Sequence, residues 1–135
     1  MTARAMAAMF RNTPAFSSFS VDDMAKAKQF YGETLGLEVA EIPEGLELHL
    51  AGGGRVFIYR SDDYHAPEHT ILNFVVEDIE RAISDLEKNG VRMEQYDLPG
   101  MKTDSKGIFR GRSGPKAIAW FKDPADHILS VLQEK

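Results

Sequence analysis

An internal repeat constrains this chain more than any other feature of its sequence. Residues 16–39 and 71–93 align at an offset of 55 positions, with identical residues at four places. The identical pairs are Phe19 with Phe74, Val21 with Val76, Asp23 with Asp78, and Ala27 with Ala82. A repeat of this length is one supersecondary unit present twice, and such units pack against each other in a regular way. We therefore expect a functional site to draw on equivalent positions in both copies.

Each copy begins with a strand that leads into a helix. Alternation places Phe19 and Val21 on one face of the first strand, and Phe16, Ser18 and Ser20 on the other. Further strands are predicted at 46–50, 55–60, 70–76, 91–96, 117–121 and 127–133, with helices at 24–36 and 79–89 and a long loop at 98–116. The order is βαβββ twice, which predicts an α+β fold.

Composition narrows the class of protein. The chain has 135 residues and a formal net charge of −5, which gives little electrostatic support for nucleic-acid binding. It has no cysteine, so any metal site would need His, Asp, Glu or backbone oxygen, and a cytoplasmic location is expected. No membrane-spanning segment is predicted. We expect residues 1–14 to be a flexible extension and 15–135 to be one domain, with modules at about 15–61 and 69–134.

Several segments resemble the vicinal-oxygen-chelate superfamily, which includes glyoxalases, bleomycin-resistance proteins and extradiol dioxygenases. The resemblance lies in Phe30-Tyr31 followed by Leu35-Gly36, and in the late Phe-x-Asp-Pro at 121–124. It extends over the segments 21–37, 76–90 and 119–132. The resemblance implies two βαβββ modules whose curled mixed sheets surround a cavity, often completed in a homodimer.

The resemblance also implies where a divalent metal would be bound. The corresponding positions are Phe16, Ile71 and Ser130, with a fourth at Ile58 or Tyr59. None is His or Glu, and such side chains cannot replace the water shell of a divalent ion. We therefore expect no metal cofactor. The alternative is a displaced divalent-metal site built from His69, His49 and a carboxylate such as Glu47.

Other side chains are candidates for ligand contact. Polar groups that point into an enclosed space need partners, which a bound ligand can supply. The polar residues expected to share the cavity face are Ser18, Ser20, Tyr59, Asn73 and Ser130. Trp120 is either a stacking wall for the ligand or part of the core. His127 is expected to make hydrogen bonds in the preceding turn, where Asp126 replaces a glycine usual in relatives but tolerates left-handed geometry.

The loop at 98–116 has two interpretations. It carries the basic residues Lys102, Lys106, Arg110, Arg112 and Lys116, and also the apolar Phe109. It is either a lid that attracts an anionic ligand, with Phe109 as a further contact, or an ordinary solvated loop.

Three functions remain open from the sequence. The favoured one is a metal-free protein that binds a small organic molecule, as a homodimer without nucleic-acid or membrane partners. The second is an enzyme, a lyase, isomerase or dioxygenase, with a displaced metal or with acid–base groups from His69, His49, Tyr59 or the lid. The third is a scaffold or interaction subunit with a filled cavity. Fold resemblance does not choose between them, because function lies in the site.

Overall fold

The computed structural model describes residues 9–111 and 114–135, and the two copies of the repeat form two four-stranded sheets. The strands and helix of the first half are β1 (Ser17–Val21), α1 (Met24–Gln29), β2 (Glu38–Ile42), β3 (Gly45–His49) and β4 (Arg55–Arg60). A π-helical turn at Phe30–Thr34 continues α1. Those of the second half are β5 (Thr70–Val75), α2 (Ile79–Lys88), β6 (Asp97–Leu98), β7 (Met101–Lys102), β8 (Ile108–Phe109), β9 (Ala117–Lys122) and β10 (Ile128–Gln133).

The two sheets have the same topology. Their strand orders are β1-β4-β3-β2 and β5-β10-β9-β8, and the first two strands of each order run parallel while the other neighbours are antiparallel. Strands β6 and β7 form a separate hairpin. The predicted α+β fold with two βαβββ modules is therefore confirmed. The sequence prediction had omitted β2, which is the edge strand of the first sheet.

The repeated aspartates begin the two helices in the same way. The Asp23 side chain accepts a hydrogen bond from the backbone N–H of Lys26 at 3.1 Å, and that of Asp78 accepts one from Arg81 at 3.2 Å. Both are N-caps, which satisfy a backbone donor that the helix leaves without a partner. The repeat therefore preserves the start of each helix.

The predicted strand at 91–96 is wrong. In this segment only Met93 pairs with a strand, as an isolated bridge to Phe121, and the edge position of the second sheet is taken by β8. The segment passes close to the turn before β8. A side-chain carbon placed at Gly107 would lie only 2.9 Å from the carbonyl oxygen of Glu94. The edge strand thus comes from within the predicted loop.

The core lies between each sheet and its helix. Leu46, Leu48 and Ile58 in the first sheet and Phe121 and Leu129 in the second are at most 3% exposed. Within the part of the chain that the structure describes, the opposite face of each sheet carries no helix of its own half, so the two sheets leave two faces that are only partly covered. Within the described residues, no helix has the length and apolar character needed to cross a membrane.

Candidate functional site

The first sheet has a face directed away from α1, which we call the first open face. Strand pairing places Ser18 beside Phe57 and Ser20 beside Tyr59 on this face, because the alternate residues, such as Ile58, are buried in the core. Its side chains include Phe16, Ser18, Ser20, Glu38, Ala40, Glu47, His49, Arg55, Phe57 and Tyr59. This face therefore combines aromatic rings with a few polar groups.

The second sheet has an equivalent face, which we call the second open face. Ser130 pairs with Asn73 on one side and with Trp120 on the other, and Phe109 pairs with Ile118. Its side chains include Asn73, Val75, Phe109, Ile118, Trp120, Lys122, Ile128, Ser130 and Leu132. The six polar and aromatic candidates thus form two groups of three. Ser18, Ser20 and Tyr59 lie on one sheet, and Asn73, Trp120 and Ser130 on the other, whereas the sequence analysis expected the five polar residues to share one cavity face.

Aromatic side chains on the first open face are solvent-accessible. Phe16 is 60% exposed and Tyr59 is 39% exposed. The rings of Phe57 and Tyr59 are nearly parallel, with an interplanar angle of 21° and centroids 5.6 Å apart. Exposed aromatic surface of this kind is a feature of binding sites.

The polar groups of the second open face bond one another. The Ser130 hydroxyl donates a hydrogen bond to Oδ1 of Asn73, and Ser130 is fully buried while Asn73 is exposed. Trp120 is half-buried and meets the ring of Tyr96 edge-on, with centroids 5.5 Å apart. Burial raises the pKa of Tyr96, and the carboxylate of Glu94 adds to the effect, so its hydroxyl stays protonated at neutral pH. Trp120 therefore lies on the partly covered face and not in the core.

The residues at the implied metal positions do not fit a divalent ion. The repeat matches Ser18 with Asn73. Ser18 pairs with Phe57, and Asn73 pairs with Ser130. Phe57 is therefore the equivalent of Ser130. The fourth position is therefore Phe57 and not Ile58 or Tyr59, and Ile58 is fully buried in the core.

The surroundings of these positions are also unsuited to a metal. The guanidinium carbon of Arg55 lies 5.7 Å from the ring centroid of Phe16, which places a positive charge where a metal would bind. The Ser130 hydroxyl is already engaged with Asn73.

The two candidate histidines lie in different places. His49 is on the first open face, and its Nε2 lies 3.0 Å from Oε1 of Glu47. His69 is exposed and precedes β5. Among residues 9–111 and 114–135, no three His, Asp or Glu side chains lie close enough together to hold a metal. One chain therefore does not assemble the displaced site proposed from His69, His49 and Glu47.

The described residues of the segment 98–116 are held together by hydrogen bonds and an ion pair. The Asp104 carboxylate accepts hydrogen bonds from the backbone N–H groups of Lys106 and Ile108, at 2.9 and 3.0 Å, and pairs with Arg110 at 3.0 Å. Partial burial acts to raise the pKa of Asp104, but these bonds and the Arg110 charge outweigh it and lower the pKa.

Two of its basic side chains already have acidic partners. Lys106 contacts Glu80 at 2.8 Å, which raises the lysine's pKa, and Arg110 pairs with Asp104. Lys102 is exposed, Lys116 lines a shallow cavity beside the start of α2, and Arg112 lies outside the described residues. Lys106 and Arg110 therefore do not support a role of this segment in attracting an anionic ligand.

A large cavity lies away from both open faces. It is an open groove of about 1170 Å³ between α1 and the β2–β3 hairpin, with Lys28, Gly32 and Glu41 among its lining residues. Lys28 and Glu41 form an ion pair across it at 2.9 Å. None of the sequence candidates lines this groove, so their proposed role depends on the open faces.

A buried polar cluster joins the two halves. The Tyr31 hydroxyl donates a hydrogen bond of 2.7 Å to Oδ2 of Asp123, and Nδ1 of His127 lies 3.0 Å from the same oxygen. Oδ1 of Asp123 accepts from the backbone N–H groups of Ala125 and His127, both at 2.9 Å. Burial, and then the negative charge of Asp123, strongly raise the pKa of Tyr31. The predicted turn role of His127 is confirmed, and Asp126 adopts the expected left-handed φ of 67°.

Sequence reasoning missed Phe57 and Arg55 on the first open face, and it considered Glu47 only as a metal ligand. The spacing of Glu47 and His49 by two residues on a predicted strand was the available signal, because it places both side chains on one face. Phe57 required the pairing of β1 with β4, which the repeat does not specify.

Comparisons with known proteins agree with this architecture. The Glyoxalase/Bleomycin resistance protein/Dioxygenase superfamily model matches residues 15–131. The glyoxalase family protein from Enterococcus faecalis is 27% identical with a TM-score of 0.63, covering 92% of this chain and 99% of that one. TnmS3, an antibiotic binding protein from Streptomyces sp. CB03234, is 21% identical with a TM-score of 0.62, covering 92% and 98%.

A metal-binding relative has the same fold. A variant of the fosfomycin resistance protein FosX from Listeria monocytogenes, complexed with Mn(II) and 1S,2S-dihydroxypropylphosphonic acid, is 14% identical with a TM-score of 0.61, covering 90% of this chain and 89% of that one. The curated proteins contain no significant match. Because the family match spans nearly the whole chain, the protein belongs to the glyoxalase/bleomycin resistance protein/dioxygenase superfamily.

Proposed function

We propose that this protein binds a small organic molecule on its open faces without a metal ion. One observation carries the proposal: the positions at which the family's metal ligands are expected hold Phe16, Phe57, Ile71 and Ser130, on or beside faces that keep aromatic rings accessible. Aromatic walls with a few placed polar groups are the usual make-up of a small-molecule site. The antibiotic-binding neighbour TnmS3 has the same fold, which supports the proposal without identifying the ligand.

We propose also that the site is completed in a homodimer. Each open face belongs to a separate sheet, and each has exposed apolar side chains at its edge, with Phe16 60% and Val75 63% exposed. The first open face of one copy would pack toward the second open face of the other, which encloses a ligand between them twice per dimer. Light scattering after gel filtration is expected to give twice the monomer mass of 15.1 kDa, and a monomer at all concentrations would contradict this part of the proposal.

A ligand screen tests the proposed function. Metabolites and aromatic natural products are added to tag-free protein, with the melting temperature and the fluorescence of Trp120, the single tryptophan, as readouts. A true ligand is expected to change both, because Trp120 lies on the second open face.

Matched variants decide whether a response comes from the proposed site. Phe57→Ala is expected to weaken binding about tenfold or more, whereas Lys28→Gln, in the groove behind the sheet, is expected to leave it unchanged. A protein that responds to no compound would favour the scaffold function instead. A ligand that binds equally to both variants would place the site elsewhere.

A further inference from the structure

A charged row on the first open face has no equivalent on the second. Glu47 lies between two basic side chains, with His49 Nε2 at 3.0 Å and Arg55 Nη1 at 3.5 Å. All three side chains are partly exposed, from 24% for Glu47 to 44% for Arg55. They are thus available to a ligand while being held in place by each other.

The same positions in the second sheet are mostly apolar. Phe57 of the first sheet is equivalent to Ser130 of the second. Their strand partners, Glu47 and Trp120, are therefore equivalent to each other. Arg55 and Ile128, each two residues earlier on the same strand, are equivalent as well. Lys122 is the equivalent of His49 and is paired with Glu94 at 3.5 Å. The two open faces therefore differ in chemistry, one having a charged row and the other an aromatic and aliphatic wall.

The contacts in this row determine what it offers to a ligand. Nε2 is the imidazole nitrogen of His49 that lies beside the Glu47 carboxylate, which leaves Nδ1 for a ligand hydroxyl, and Glu38 of β2 pairs opposite His49 on the same face. Arg55 uses one guanidinium nitrogen for Glu47, which leaves further N–H donors. The row thus presents an imidazole nitrogen and several guanidinium donors beside the stacked rings of Phe57 and Tyr59.

Building on the proposed binding function, we propose that Glu47, His49 and Arg55 select planar aromatic ligands with a hydroxyl and a carboxylate or carbonyl on one edge. The ligand hydroxyl would form a hydrogen bond with Nδ1 of His49, and the ligand's carboxylate or carbonyl oxygen would accept from Arg55, which is the charge-assisted bond that arginine makes best. The aromatic ring would lie against Phe57 and Tyr59. Glu47 is a positioning residue, because it contacts the two basic side chains rather than the ligand.

Three probes with the same ring system test this inference. An ortho-hydroxynaphthoate, a naphthoate without the hydroxyl and naphthalene itself are titrated against the full chain, with Trp120 fluorescence and calorimetry as readouts. The hydroxynaphthoate is expected to bind about a hundredfold more tightly than naphthalene, with the naphthoate between them.

Variants assign the difference to the charged row. Arg55→Gln is expected to weaken binding of both carboxylates about tenfold or more, and His49→Phe to weaken the hydroxynaphthoate selectively. Neither is expected to change naphthalene binding, and Lys28→Gln serves as the charge-matched control. Equal affinities for all three probes, or equal effects of Arg55→Gln and Lys28→Gln, would overturn the inference while leaving the proposed function intact. Failure of all three probes to bind would overturn the inference, whereas the proposed function is overturned only when the wider ligand screen finds no binder.

Discussion

Replacing Tyr31 by phenylalanine tests the cluster that joins the two halves. Tyr31 is fully buried, and its hydroxyl donates a 2.7 Å hydrogen bond to Asp123, which is 4% exposed. A buried hydrogen bond to a charged acceptor contributes about 1.5–3 kcal/mol. Asp123 keeps its bonds from Ala125 and His127, so we expect the free energy of unfolding to fall by about 2 kcal/mol and the melting temperature by roughly 6–10 °C.

The assay is urea unfolding followed by Trp120 fluorescence and by far-ultraviolet circular dichroism. We propose that residues 15–135 are one domain, since this bond crosses between the halves, and the two signals should then give one coincident transition before and after the change. Tyr64→Phe is the matched control, because its hydroxyl bonds only a backbone carbonyl, that of Ala125, at 3.2 Å. We expect that control to lower the free energy of unfolding by about 0.5–1 kcal/mol.

The pH dependence gives an independent check on Tyr31. Its pKa is raised in the folded state, so its contribution is fully present below the unfolded-state pKa of about 10 and decreases as pH rises above that value. The stability difference between wild type and Tyr31→Phe should therefore shrink above about pH 10. The reasoning would be refuted by a loss below about 0.5 kcal/mol at neutral pH, or by an effect equal to that of Tyr64→Phe.

Other substitutions test separate features. Asp126 has a left-handed φ of 67°, which glycine adopts freely and a β-branched residue does not. Asp126→Gly is therefore expected to raise the free energy of unfolding by a few tenths to about 1 kcal/mol, and Asp126→Val to lower it by more than about 1 kcal/mol. The opposite order in urea unfolding would refute the strain argument. Asp104→Asn should lower the free energy of unfolding by about 0.5–1 kcal/mol at neutral pH. Because the folded-state pKa of Asp104 is lowered, its contribution is present above the unfolded-state pKa of about 3.9 and is lost as pH falls through the folded-state value. A penalty that persists well below pH 3 would disagree. Trp120→Phe should weaken ligand binding several-fold in calorimetry, and unchanged affinity would remove Trp120 from the site.

The repeat was sufficient to predict the helices and the two faces of each first strand. The N-caps Asp23 and Asp78 and the alternation of apolar residues depend on local backbone geometry, which sequence spacing reports directly. Strand β8 was not predictable in this way, because two residues show no periodicity and its position depends on the hydrogen bonds of Asp104.

Which residues share the site depends on the register of the paired strands, and a local sequence pattern does not determine that register. For the fourth metal-ligand position, sequence spacing suggested Ile58 or Tyr59, whereas the pairing of β1 with β4 gives Phe57. A shift of one residue along a strand moves a side chain to the opposite face of the sheet. The separation of the candidates onto two sheets also follows from pairing between distant strands. The residue types were informative, but their grouping required the fold.

The dependence of ligand binding on metal tests the central claim most directly. The tightest ligand from the screen is titrated by calorimetry into protein treated with EDTA, and again after addition of Mn(II). The claim predicts the same dissociation constant in both titrations, since Phe16, Phe57, Ile71 and Ser130 give a metal no suitable ligands. Binding that disappears with EDTA and returns with Mn(II) would contradict it.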